Sequence, residues 1–103
     1  MFISPTILLD AAAAVVTGNP VFCPPEKNIA PTGIEVFGTF VGTVILEATI
    51  ASQDEVNAAT AVWQAITGSS WTAPALTSIA TPWSHIRARV TAYTSGAISV
   101  RAI

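Results

Sequence analysis

Charge is what this sequence has least of. Only 10% of its 103 residues are Asp, Glu, Lys or Arg, six acidic and four basic, where an ordinary domain has about 25%. A nucleic-acid-binding protein needs a basic footprint to neutralise phosphates. Here the basic residues are Lys27, Arg87, Arg89 and Arg101, and the net charge is −2. Nucleic acid and anionic lipid surfaces are therefore not expected partners. The three arginines either form a solvated face or pair with Glu35 and Glu47.

Cysteine and histidine are almost as scarce. Cys23 is alone, so no intrachain disulfide can form. Beside Pro24 and Pro25 it reads as a small hydrophobe in a loop or on an edge. A nucleophilic role needs a histidine, and nothing in the sequence places His85 near it. There is no Ser-His-Asp set, glycine-rich phosphate loop or Cys-x-x-Cys motif. Asp54 and Glu55 are adjacent, and on a strand neighbouring residues point to opposite faces. Glu35 and Glu47 could face each other across a hairpin as an acid/base pair, but no third group supports them. The expectation is no enzyme, no cofactor, and no catalytic or metal-binding residue.

A long apolar run is also missing. The strongest one, Ile7 to Val16, is interrupted by Asp10 and bracketed by Pro5 and Gly18. It is well short of the roughly 20 residues that span a bilayer. No basic residue precedes it in Met1-Phe2-Ile3-Ser4-Pro5, unlike a secretory signal. Synthesis in the cytoplasm from Met1 is the expectation.

What is present is apolar surface. Hydrophobic residues make up 51% of the chain and mean hydropathy is +0.61. The length fits one domain that buries roughly 65% of its unfolded surface. So apolar a chain, with so few charges, leaves large apolar patches on an isolated monomer, and such patches mark interfaces. Composition therefore points to life in an assembly.

The patterning is β. Ile86, Ala88, Val90 and Ala92 alternate with Arg87, Arg89, Thr91 and Tyr93, the period of a half-buried strand. Thr94-Ser95-Gly96 reads as a turn into a last strand, so this stretch predicts a hairpin. Gly33 to Ile50 predicts another, with its turn at Val41-Gly42 and a bulge or close approach at Gly38. A first strand is expected over Thr6 to Asp10, and a short one near Leu76 to Ile79. Five of the seven prolines lie between Met1 and Pro31, and they exclude a continuous inner strand there.

Two readings compete over Ser52 to Gly68. Ser52 with Glu55 fits a capping box, and Val56, Ala59, Trp63 and Ile66 fall on one helical face. The other reading has a polar loop to Thr60 and then a strand containing Trp63. The flanking strands favour the second.

Val36-Phe37-Gly38-Thr39-Phe40-Val41-Gly42-Thr43-Val44, the tryptophan strand at Trp63, and Ile86-Arg87-Ala88-Arg89-Val90-Thr91-Ala92-Tyr93-Thr94-Ser95-Gly96 together resemble small β-sandwich structural proteins of tailed bacteriophages. Those sequences carry a G-x-F-x-G-T-V hairpin, a T-W-x-x-V strand and a closing R-x-R-V-x-A-x-T-S-G hairpin. The likeness covers Gly33 to Ile103. It departs between Ser52 and Thr60, where the family has a short Asp-Gly-Gly turn. The resemblance implies a non-enzymatic virion component: a capsid decoration protein, or a neck, tail or fibre subunit. It would be made in the host cytoplasm, contact other virion proteins such as the major capsid protein, and form a homo-oligomer.

The expected fold is thus an all-β, mostly antiparallel sandwich in one domain. Residues 33–103 form its core, and residues 1–32 form an N-terminal strand and extended proline-rich arm that serves assembly more than the core. Trp63 is expected in the core. Phe2, Ile3, Phe22, Trp71 and Trp83 are the candidate interface residues, since aromatics dominate interface energetics. A carbohydrate-binding module using Trp63, Trp71, Trp83 and Tyr93 is the rival reading. The run from Gly68 to Ser84 offers only Ser and Thr beside its aromatics, which weighs against it.

Overall fold

Period-two apolar patterning decides the layers. A computed structural model describes residues 6–22, 32–79 and 83–102. Among these residues the strands are β1 (Thr6–Ala12), β2 (Val21–Phe22), β3 (Thr32–Phe37), β4 (Phe40–Thr49), β5 (Gln64–Trp71), β6 (Ala75–Ile79), β7 (His85–Gly96) and β8 (Ile98–Ala102), with one helix, α1 (Gln53–Asn57). They form two four-stranded antiparallel sheets, in the orders β1-β8-β3-β6 and β2-β7-β4-β5. The all-β sandwich expected from the sequence is what the chain forms.

The core between the sheets is aliphatic. Ile34, Val36, Ile98 and Val100 from one sheet meet Val44, Leu46, Ile86 and Val90 from the other, all essentially inaccessible to solvent. Each contributes about 1.5–3 kcal/mol through burial. Leu8 and Leu9 are both buried although they are neighbours. A register shift in β1 between Ile7 and Leu9 makes this possible, because a bulge turns adjacent side chains toward one face. Within residues 6–22, then, the N-terminal region supplies Leu8 and Leu9 to the core, with Ala12 and Val21 packed against it.

The two expected hairpins are corners instead. β3 pairs with β6 and β8, and β4 with β5 and β7. The turn lies at Gly38-Thr39, not at Val41-Gly42. Likewise, β7 and β8 lie in different sheets. The strand pair β3/β8 thus folds over to become the pair β4/β7, and the two corners run side by side. Ala97 N donates to Thr39 O at 2.9 Å, and Phe40 pairs with Gly96. Gly96 has φ 88°, and a Cβ there would overlap the Thr39 carbonyl; Gly38 stands in the same relation to Ala97. Only glycine accepts both the positive φ and the contact.

The segment between β4 and β5 resolves the competing readings. The capping box is present: Ser52 Oγ accepts from Glu55 N at 3.2 Å, and Glu55 Oε1 accepts from Ser52 N at 3.1 Å. It starts a helix of only five residues. Ala59 then takes φ 59°, while Ala59 N donates to Val56 O and Thr60 N to Glu55 O. That is a Schellman stop with alanine where glycine is usual. The helical face through Trp63 and Ile66 does not form. A strand follows, as expected, but begins at Gln64, one residue after Trp63.

Candidate binding cleft

β5 and β6 are the edge strands on one side of the sandwich, and they do not close against each other. Between them lies a cleft of about 910 Å³, lined by Ala48, Ile50, Val62, Ile66, Trp71 and Trp83 among the apolar groups and by Thr49, Gln64, Thr77 and Ser78 among the polar ones. Its size falls in the range of sites for small ligands or short peptide segments. Among the described residues Glu55 is the one ionisable group on the lining, and it is engaged in the capping box.

A large bulge in β5 makes the cleft. Ile45 pairs with Ser70 and Glu47 with Ala65, so the four residues Ile66 to Ser69 lie opposite Leu46 alone. The chain swings out and turns at Gly68, whose φ is 81°. Leu46 would lose its ladder partners there, but the buried Ser69 replaces them with its side chain. Ser69 Oγ accepts from Leu46 N at 3.3 Å, and it lies 2.6 Å from Ile66 O and 3.2 Å from Leu46 O, the acceptors for its proton. One hydroxyl therefore holds the bulged wall to the sheet.

The structure brings Trp71 and Trp83 together on this cleft. Trp71 is the last residue of β5; paired with the inward-facing Val44, it packs against the core. Trp83 also packs against the core, and its buried Nε1 has no hydrogen-bond partner among the described residues. Phe22 is in β2, at the opposite edge of its sheet from β5. Phe2 and Ile3 lie outside the described residues, as does Cys23.

Trp63 is not in the core. It shares the parity of Ala65, which pairs with the outward-facing Glu47, so it lies on the outer surface of its sheet. Arg87 stacks over its ring at 4.2 Å. Glu47 is buried beneath this cover. Its Oε1 accepts from Arg87 Nε at 2.8 Å, and its Oε2 lies 3.1 Å from Arg89 Nε. Glu35 is on the other sheet, where Arg101 Nε donates to it at 2.6 Å. The two glutamates therefore do not face each other, and each is matched by arginine, one of the two outcomes the sequence left open for the three arginines.

His85 is buried beside the helix. Its Nε2 lies 2.9 Å from Gln53 Oε1 and its Nδ1 3.0 Å from Ser84 Oγ, while Ser84 Oγ also contacts Thr49 O and Ala51 O. This network ties α1 to the sheet behind the cleft. Desolvation pushes the imidazole pKa below its ordinary value of 6.5. Among the described residues, no three His, Cys, Asp or Glu side chains converge as metal ligands, and no helix is long and apolar enough to cross a membrane.

The cleft carried no local sequence signal. Sequence reasoning named both tryptophans but missed Ser69, whose role arises from a register shift between strands. Comparison with protein families, with curated proteins and with solved structures finds no match to this chain.

Proposed function

We propose that the chain is a non-enzymatic structural protein of a tailed-bacteriophage virion, a capsid decoration subunit that braces the shell through surface contacts. One observation carries the structural role. The three most exposed large apolar side chains among the described residues, Leu76 at 81%, Ile50 at 79% and Val62 at 74%, sit on the side of the sandwich where the cleft opens. A cluster of strongly exposed apolar side chains at one edge has the character of an interface. The virion setting rests on the resemblance of the Gly38 to Val44 and Arg87 to Gly96 stretches to phage structural proteins.

Immunogold labelling of purified virions tests the reading. Label on the capsid surface is the expected result, together with loss of heat resistance in particles lacking the chain. Absence of the chain from the particle overturns it. Label on the neck, tail or fibres moves the subunit to that position.

A second reading, an adhesive carbohydrate-binding module, gains one observation: Trp71 and Trp83 share the cleft with Gln64 and Glu55. Titration of intrinsic tryptophan fluorescence with a panel of oligosaccharides tests it. A saturable change lost in Trp83→Ala favours sugar binding over shell contact.

A further inference from the structure

The four sheet edges are not equally protected. Exposed edge strands invite pairing with another chain, and proteins blunt them with charge, bulges or short length. β1 carries Asp10 and two register shifts. β2 is two residues long, and β5 is broken by its bulge. β6 has none of these defences. Its sequence, Ala-Leu-Thr-Ser-Ile, holds no charge, proline or glycine. Its register against β3 runs unbroken from Thr32↔Ile79 to Val36↔Ala75, and its other edge has no strand partner among the described residues.

We propose that two copies of this chain pair antiparallel along β6, about a two-fold axis at Thr77, joining their sheets into one of eight strands. This rests on the assembly reading above and names its contact. The strand is complementary to itself. Centred on Thr77, the pairing sets Thr77 opposite the partner's Thr77, a favourable cross-strand pair. Leu76 falls opposite the partner's Ser78 and diagonal to the partner's Leu76, within reach of a long side chain. Its exposure of 81% then has a purpose. No charge on either strand opposes the approach.

A five-residue strand pair alone buries less than the roughly 1,200 Å² of a stable interface. The clefts supply the remainder. Thr77 and Ser78 line them, so the axis brings the two cleft mouths together, with Ile50 and Val62 on their rims. Association in the micromolar range is the expected strength.

Sedimentation equilibrium of the full chain, from micromolar to millimolar, should show a monomer–dimer equilibrium. Leu76→Lys places a charge on an exposed side chain that the core does not use. It should weaken the dimer by at least about tenfold, since like charges across a strand pair repel, while circular dichroism and melting stay unchanged. In a Cys23→Ser background, Thr77→Cys should oxidise to a cross-linked dimer, because facing Cα atoms about 4.5–5.5 Å apart suit a disulfide. Ser78→Cys, whose mates are diagonal, should not. A monomer at every concentration, a dimer indifferent to Leu76→Lys, or equal cross-linking at both cysteines overturns the β6 pairing. None of these results touches the virion reading, which fails separately if the chain is absent from the particle.

Discussion

Ser69→Ala removes one oxygen and tests how the cleft wall is held. Ser69 is 3% exposed. Its hydroxyl accepts from Leu46 N at 3.3 Å and has Ile66 O at 2.6 Å and Leu46 O at 3.2 Å as acceptors. Alanine keeps the volume within a methyl group but leaves the Leu46 amide without an acceptor. An unsatisfied buried donor costs about 1–3 kcal/mol, and the two carbonyls add to it. The expected loss is about 2–4 kcal/mol, or about 10–20 °C in melting temperature for a domain of this size. Urea denaturation followed by tryptophan fluorescence measures it, and an unchanged m-value confirms that the same surface is exposed. Ser70→Ala is the control, because Ser70 is exposed and should shift stability by less than about 0.5 kcal/mol. The wall should also loosen, so self-association through the cleft edge should weaken along with stability. If Ser69→Ala is no worse than Ser70→Ala, the hydroxyl is not what holds the bulge.

Other perturbations separate the remaining parts of the fold. Gly96→Ala should cost several kcal/mol, about 2–5, because the corner is filled by the Thr39 carbonyl; Gly68→Ala, where a Cβ meets open space, should cost only about 1–2 kcal/mol of backbone strain. Paired thermal melts would show the difference, and equal losses would contradict the corner argument. Trp63→Ala should cost about 1–2 kcal/mol, below the core value of about 3–5, since its ring lies on the outer surface under Arg87; a core-sized loss in chemical denaturation would refute that placement. Burial lowers the pKa of His85 in the folded state, so the unfolded chain takes up the proton more readily. Its contribution should be intact above about pH 6.5 and fall away as pH drops through the lowered folded value. The stability difference between wild type and His85→Gln should shrink over that window, and a constant difference would exclude the effect.

The layers were legible in the sequence; their connections were not. Alternation in β4, β7 and β8 picked out the core faces because a side chain's face depends only on parity. Ile50 carries the right parity but lies just past the end of β4, and Ala92, inside β7, is turned outward by the register shift opposite Thr43 and Val44. Hairpin and corner share one local code, two strands around a glycine turn. Whether the strands pair edge to edge or face to face is decided by the partners they meet, β6 and β8 for one strand, β5 and β7 for the other. The helix shows the same limit. Its start was written in Ser52 and Glu55, but its stop uses Ala59 in a conformation that alanine seldom takes. Trp63 was expected in the core because large aromatics bury much area. The register of β5 put it on the outer face, and the gap between the sheets was filled by Ile, Leu, Val and Ala instead.

The scarcity of charge acquires a structural meaning once the ion pairs are placed. Every arginine is matched inside the fold: Arg87 and Arg89 with Glu47, Arg101 with Glu35. The Arg101 pair is exposed and contributes little to stability. The Glu47 cluster is largely covered, and removing one partner there would strand a buried charge. Among the described residues this leaves Asp10 and Asp54 as acidic groups outside any ion pair or cap. Asp10 lies on the bulged edge strand β1, and Asp54 in the first turn of α1. Neither is on β6. Among the described residues the few charges therefore pair with one another, cap or open the helix, or sit on a bulged edge strand. β6 itself carries no charge, and the Glu35 opposite its exposed Leu76 is already matched by Arg101, so the proposed pairing would recognise its partner by shape and strand pairing rather than by charge.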